Sequence, residues 1–129
     1  MAWTNHVNAQ WIIDKIDDST INWTKEFAEY LASDKDGTSK LTTSQLRKFF
    51  GKLRQIEADF DQLKTQIPML KPKLAYAVGR DKDKTKVRAF YNEISSALTA
   101  VQPDNKATFK NLVSLVESIV AYHKFFGGV

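Results

Sequence analysis

The sequence has 129 residues, of which 43% are hydrophobic and 26% are charged, and it contains no cysteine. This length and composition are typical of one globular domain and exclude a disordered chain, while the lack of cysteine excludes disulfides, thiolate metal sites and a cysteine nucleophile. The net charge of +4 is unevenly distributed, because residues 1–39 have a balance of −4 and residues 40–88 a balance of +8. A basic segment of this kind is typical of a contact with a polyanion, although charged residues also commonly serve only to solvate helix surfaces.

Neither end of the chain contains a membrane or export signal. Residues 1–11 lack the basic start and unbroken apolar run of a signal peptide. The most apolar stretch, 109–126, is interrupted by Lys110, Glu117, His123 and Lys124 and is not a membrane span. The sequence therefore predicts a soluble, cytoplasmic protein without a membrane partner.

The first third of the chain predicts one short helix. Residues 11–13 are too few to distinguish a strand from a helical turn, and residues 33–39 predict a linker. We interpret Trp23 as a core residue, and Trp3 and Trp11 as the better surface candidates for stacking on bases. The apolar stripe of the helix consists of Trp23, Phe27, Tyr30 and Leu31.

The clearest helical signal begins at Thr42, which stands at capping-box spacing from Gln45. From there apolar residues recur every three or four positions to about Gln66, and Pro68 blocks continuation. This pattern predicts one long helix over 43–66 with its apolar stripe in the core. The stripe consists of Leu46, Phe49, Phe50, Leu53, Ile56, Phe60 and Leu63.

Three more helices are expected in the second half. One runs over 70–78 with Pro72 in its first turn, one over 87–101, and one from 109 to the glycine pair at 127–128. The alternating runs and tight turn signals of a sheet are absent. The chain thus predicts an all-α fold, a single small bundle of about five helices over residues 1–129.

No pattern in the sequence indicates an active site. His6 and His123 lie at opposite ends without metal-ligand spacing, and 34–37 resembles a calcium loop only in part, because its first aspartate and last glutamate are missing. We interpret His123 as a cation near a helix end or as a partly buried ring. We therefore expect no catalytic residue, no metal site, no cofactor and no small-molecule substrate.

The helix that begins at 43 carries a basic face. Gly51 falls nearly opposite the apolar stripe, at a position where glycine costs about 1 kcal/mol relative to alanine. Lys48 and Lys52 are one turn apart, and Arg47 and Arg54 two turns apart, so the four flank this gap. They are able to grip a sugar-phosphate chain without reading bases, and a solvated helix face explains the same pattern about equally well.

Three segments carry a more specific signal: 40–50 (KLTTSQLRKFF), 71–80 (KPKLAYAVGR) and 109–126. In sequence, order and spacing they resemble the small subunit of the type III-A CRISPR effector, the Csm complex. The resemblance covers about residues 40–126, the family-like core, and nothing in residues 1–39 contributes to it.

The resemblance implies a non-catalytic helical bundle, stacked in several copies along a prokaryotic cytoplasmic ribonucleoprotein and lining the channel where target RNA pairs with guide RNA. It implies as partners the backbones of guide and target RNA, the other subunits and further copies of the chain itself. Matching residue by residue, it assigns RNA contacts to Arg47, Lys48, Lys52, Lys73 and Arg80, while Arg54 depends on the helix geometry alone. The alternatives are a helical protein–protein adaptor that binds an acidic protein without RNA and, with the least support, an enzyme.

Overall fold

The fold consists of helices, several of which pack against the carboxyl-terminal helix. A computed structural model describes residues 3–128, which contain no β-strand. The helices are α1 (Gln10–Ile13), α2 (Asp18–Leu31), α3 (Thr43–Ala58), α4 (Phe60–Leu63), α5 (Leu70–Asp81), α6 (Val87–Ala100) and α7 (Lys106–Phe125), with a 3₁₀ helix over Lys64–Met69. Five of them contain 12 to 20 residues, and the all-α class is confirmed. None of the helices over these residues is long and apolar enough to cross a membrane.

Helix α7 packs against α1, α2 and α3, and α5 packs against α6. The core is a single cluster to which all seven α-helices contribute buried side chains. Burial of each such side chain stabilises the fold by roughly 1.5–3 kcal/mol. Its fully buried members include Phe27 and Leu31 from α2, Leu53 and Ile56 from α3, Phe90 and Ile94 from α6, and Phe109 and Leu112 from α7.

Reciprocal side-chain caps start α2 and α3. The Thr42 hydroxyl accepts the Gln45 amide at 3.0 Å, and the Gln45 side chain accepts the Thr42 amide at 2.8 Å. Asp17 and Thr20 form the same arrangement at the start of α2. Each cap satisfies amides that lack a partner in the first helical turn, and the helix start predicted at Thr42 is confirmed.

The long helix predicted over 43–66 is broken at Asp59. There the backbone leaves helical geometry at φ −138° and ψ 58°, α4 follows, and a 3₁₀ helix that contains Pro68 leads directly into α5. Residues 67–71, which the sequence predicts as a linker, are therefore helical. Apolar periodicity did not reveal the break, because Phe60 and Ile67 remain buried on its far side.

The amino-terminal segment packs on the bundle through aromatic rings. The Trp3 ring lies 5.1 Å from the rings of both Phe27 and Tyr30, and the Trp11 ring lies 5.8 Å from the ring of Trp23. The interpretation of Trp3 and Trp11 as surface stacking candidates is therefore wrong, because both rings cover the core. Trp23 is buried, as expected.

A buried carboxylate fastens the same segment to α6. Glu93 is 3% exposed, and its two oxygens accept the Val7 amide and contact His6 Nδ1, each at 2.8 Å. On α7, the Asn111 amide donates to the Ile12 carbonyl at 2.9 Å. Residues 3–14 are thus attached to the bundle by contacts with α2, α6 and α7.

His123 is a core residue. Its Nε2–H donates to the Leu41 carbonyl at 2.7 Å, and burial lowers the pKa of the ring below its ordinary 6.5. Helix α7 ends at Phe125; Gly127 follows with a φ of +86°, which favours glycine, and the Gly128 amide donates to the His123 carbonyl at 2.8 Å. Of the two interpretations of His123, the structure supports the buried ring.

Candidate nucleic-acid interface

An open groove of about 830 Å³ runs between α3 and α5. Its floor is apolar, and Phe49 of α3 meets Phe90 of α6 edge to face there, with ring centroids 5.5 Å apart. Floor and walls include Leu41, Phe49, Leu70, Leu74, Ala77, Val87 and Phe90. The groove exists because α5 packs on α6 and leaves its other face turned towards α3.

Four of the six predicted RNA-binding residues line this groove. Lys48 and Lys52 belong to α3, and Lys73 and Arg80 to α5. Within residues 3–128, no carboxylate oxygen lies within 4 Å of their side-chain nitrogens. Two motifs that are distant in sequence therefore contribute unpaired positive charge to one surface.

A hydrogen-bonded turn lies beside the groove. Asp81 lines the groove, and its carboxylate accepts the Thr85 amide at 2.8 Å and the Thr85 hydroxyl at 3.0 Å. The Gln45 side chain donates to the same hydroxyl at 3.3 Å. This network connects the start of α3 to the end of α5. It also occupies the Asp81 carboxylate with hydrogen bonds inside the protein.

Arg47 and Arg54 lie outside the groove. Arg54 is 3.5 Å from Glu57 and 4.0 Å from Glu117 of α7, and its guanidinium lies 5.8 Å from the centre of the Phe50 ring. Arg47 is exposed on α3. The structure therefore brings four of the predicted cations together and separates these two from them.

Gly51 occupies the exposed arc of α3 between the groove and Arg47. Apart from its two chain neighbours and the backbone of α3 itself, no atom of residues 3–128 lies within 4 Å of the position that a β-carbon would take there. Nothing in the folded chain itself requires a glycine at this position, although it weakens the helix. The small surface is available to an external ligand.

Besides Arg54, three cations of the basic segment 40–88 pair with carboxylates within the protein, namely Lys64, Lys86 and Arg88. Lys86 is 3% exposed, lies 3.1 Å from Asp36 and sits 4.6 Å from the centre of the Tyr30 ring. The Thr38 amide, and then Lys86, lower the pKa of Asp36. Arg88 pairs with Asp83 at 2.8 Å. A count of charges along the sequence did not separate these structural pairs from the groove cations.

Sequence reasoning also missed two exposed apolar side chains in the groove. Met69 is 52% exposed and Tyr76 is 68% exposed, and both line the groove. The quoted motif 71–80 contained Tyr76, but no role was predicted for it. Elsewhere in residues 3–128, no group of three histidine, aspartate or glutamate side chains is arranged to hold a metal.

The fold and this surface define a small all-α bundle with a cationic groove. The Csm2 Type III-A family model matches residues 14–129, so the chain belongs to that family, the small subunit of the type III-A Csm complex. The protein "CRISPR system Cms protein Csm2" of Streptococcus thermophilus is 28% identical over 120 residues, which cover 87% of this chain and 94% of that protein. No solved structure matched the chain significantly.

These comparisons confirm the resemblance that the three motifs indicated and extend it towards the amino terminus. The match begins at residue 14, whereas the motifs covered about 40–126. Helix α2 therefore belongs to the family's shared region. The aromatic segment that contains Trp3 and Trp11 precedes it.

Proposed function

We propose that the chain is a non-catalytic subunit that lines the RNA channel of the type III-A complex and holds the backbones of guide and target RNA in the groove between α3 and α5. The observation that carries this proposal is the convergence of Lys48, Lys52, Lys73 and Arg80 on one groove without acidic partners among the described residues. Membership of the family supplies the complex in which the RNA is bound.

The chemistry of these four groups suits phosphate. Lys48 and Lys52 are separated by one turn, a rise of about 6 Å along α3, so their ammonium groups are able to meet separate phosphates. Arg80 offers a planar fork that can bind two oxygens of one phosphate. Such contacts hold a strand without reading its bases, and base pairing between guide and target supplies the sequence specificity.

We assign the outlying arginines a secondary role. A strand that leaves the groove across α3 passes over Gly51, where no side chain obstructs it, and reaches Arg47. Arg54 is already engaged by Glu57 and Glu117, so its contact with RNA competes with these ion pairs. We expect Arg47 to contribute more to RNA affinity than Arg54.

The proposal of a non-catalytic role draws support from the two histidines, which both serve the fold. His123 is buried against the Leu41 carbonyl, and His6 contacts the Glu93 carboxylate that also accepts the Val7 amide. Replacing His6 with alanine should leave target-RNA cleavage by the assembled complex unchanged. A loss of cleavage in a complex that still binds its target would contradict the proposal.

The competing function is an adaptor whose groove binds an acidic protein instead of RNA. The discriminating experiment replaces Lys48, Lys52, Lys73 and Arg80 together with glutamine in a reconstituted complex. Our proposal predicts that the variant subunit assembles normally and that the complex loses affinity for target RNA. The adaptor function predicts that the subunit is lost from the complex, as measured by its stoichiometry after purification.

We further propose a head-to-tail stack, in which the acidic region of Asp14, Asp17 and Asp18 in one copy packs against a basic flank of the next. We also propose that the chain acts as one cytoplasmic domain. Asp14, Asp17 and Asp18 are all exposed in the isolated chain. Replacing Asp14 and Asp18 with asparagine leaves the Asp17 cap intact and should reduce the number of copies per complex. Unchanged copy number would contradict the stacking proposal.

A further inference from the structure

Tyr76 presents an aromatic ring to solvent inside the cationic groove. It is 68% exposed, and it lines the groove together with Pro72 and Arg80, which lie one turn before and one turn after it on the same face of α5. Within residues 3–128 the large apolar side chains that are exposed are Ile13, Met69, Tyr76 and Phe125. Two of these four line this one groove, so exposed apolar surface is concentrated beside the unpaired cations.

Contacts within the protein leave the Tyr76 ring available. The guanidinium carbon of Arg80 lies 5.9 Å from the ring centre, close enough for a cation–π contact that favours one orientation of the two side chains. Among the described residues, the Tyr76 ring forms no pair with another aromatic ring, and its hydroxyl has no hydrogen-bond partner. Apart from the contact with Arg80, the described residues give no reason for an aromatic residue here.

We propose that Tyr76 is a stacking platform for the base of an unpaired nucleotide, whose neighbouring phosphates contact Lys73 and Arg80. Every base has a π-face that stacks on an aromatic ring, so the contact requires no particular sequence. A base inside a duplex has both faces covered by its neighbours and is not available to Tyr76. The inference depends on the proposed RNA-binding function and adds to it a preference for RNA that contains unpaired nucleotides.

The test compares Tyr76→Leu, which removes the ring, with Tyr76→Phe, which keeps it. Phe125→Leu is the matched control, because Phe125 is an aromatic residue that is 73% exposed and lies outside the groove. We expect Tyr76→Leu to weaken target-RNA binding by the reconstituted complex about tenfold, equivalent to ~1.4 kcal/mol. Tyr76→Phe and Phe125→Leu should bind as the wild type does.

Salt dependence separates stacking from phosphate contacts. Because Tyr76→Leu removes no charge, the slope of log affinity against log salt should remain that of the wild type. A series of target RNAs, each carrying one 2-aminopurine, reports stacking directly. The fluorescence of the bound RNA should rise in Tyr76→Leu at one or more positions and remain quenched in Tyr76→Phe.

Three results would overturn the inference. Wild-type affinity and quenching in Tyr76→Leu would exclude stacking, and an equal loss in Tyr76→Phe would assign the contact to the hydroxyl. Loss of the Tyr76→Leu subunit from the purified complex would assign the ring to a protein neighbour. If the groove does not bind RNA at all, neutralising Lys48 and Lys52 will leave the slope of log affinity against log salt unchanged. That result distinguishes failure of the proposed function from the three results above.

Discussion

Neutralising Lys48 and Lys52 provides a quantitative test of the groove. In Lys48→Gln/Lys52→Gln, two cations that line the groove and have no acidic partner among the described residues are removed. Glutamine has nearly the same helix propensity as lysine, so α3 should keep its stability. The change therefore acts on the charge of the groove and not on the fold.

The expected effect follows from counterion release. Each phosphate contact on a single strand contributes about 0.7 to the slope of log affinity against log salt, so the loss of two contacts lowers the slope by about 1.4. Between 50 and 200 mM salt, the wild-type complex should then lose roughly sevenfold more affinity than the variant. Titration of labelled target RNA into the reconstituted complex at four or five salt concentrations measures this difference.

Lys25→Gln/Lys110→Gln is the matched control. These lysines are exposed on α2 and α7, lie outside the groove, and have no ion pair among the described residues. The control removes the same charge and should retain the wild-type slope. A slope that is unchanged in Lys48→Gln/Lys52→Gln, or that falls equally in the control, would refute the assignment of phosphate contacts to this groove.

Three further predictions concern other parts of the fold. Gly51→Ala should raise the free energy of unfolding by about 0.5–1 kcal/mol in urea titrations and weaken RNA binding. Gly79→Ala, on an exposed face of α5 away from the proposed path between the groove and Arg47, should raise the free energy of unfolding without weakening binding. Unimpaired binding in Gly51→Ala would exclude close approach of RNA there. Burial lowers the pKa of His123 in the folded chain, so as pH falls this histidine is protonated in the unfolded chain before it is protonated in the folded one. The free energy of unfolding should therefore decline from pH 7.5 to 5.5. His123→Phe should cost about 1–3 kcal/mol at pH 7.5 by leaving the Leu41 carbonyl unpaired, and it should flatten this decline in urea titrations; an equally steep decline in the variant would assign it to other groups. Glu93→Ala should accelerate hydrogen exchange at Val7 and lower the urea midpoint, and unchanged exchange would show that the carboxylate does not hold the amino-terminal segment.

Local signals predicted most of the fold. The reciprocal spacing of Thr42 and Gln45 located the start of α3, because a cap involves only residues within one turn. The break at Asp59 was not predictable in the same way, since the chain restarts as a helix with Phe60 in the core and the apolar periodicity continues across it. The packing of Trp3 on Phe27 and Tyr30 was missed because it depends on tertiary contacts.

The candidate site was predictable only in part. The helical face and the resemblance together selected Lys48, Lys52, Lys73 and Arg80, but only the packing of α5 on α6 shows that the two pairs line one groove. The burial of Lys86 against Asp36 was not visible in the sequence, because a local charge count does not report which lysines a loop will cover.

The most direct test of the central claim is a cryo-EM reconstruction of the assembled type III-A complex with bound target RNA. Our account predicts that an RNA strand occupies the groove between α3 and α5, with phosphate oxygens within about 4 Å of the side-chain nitrogens of Lys48, Lys73 and Arg80. A groove filled by a neighbouring protein subunit, with the RNA on another face of the bundle, would contradict it.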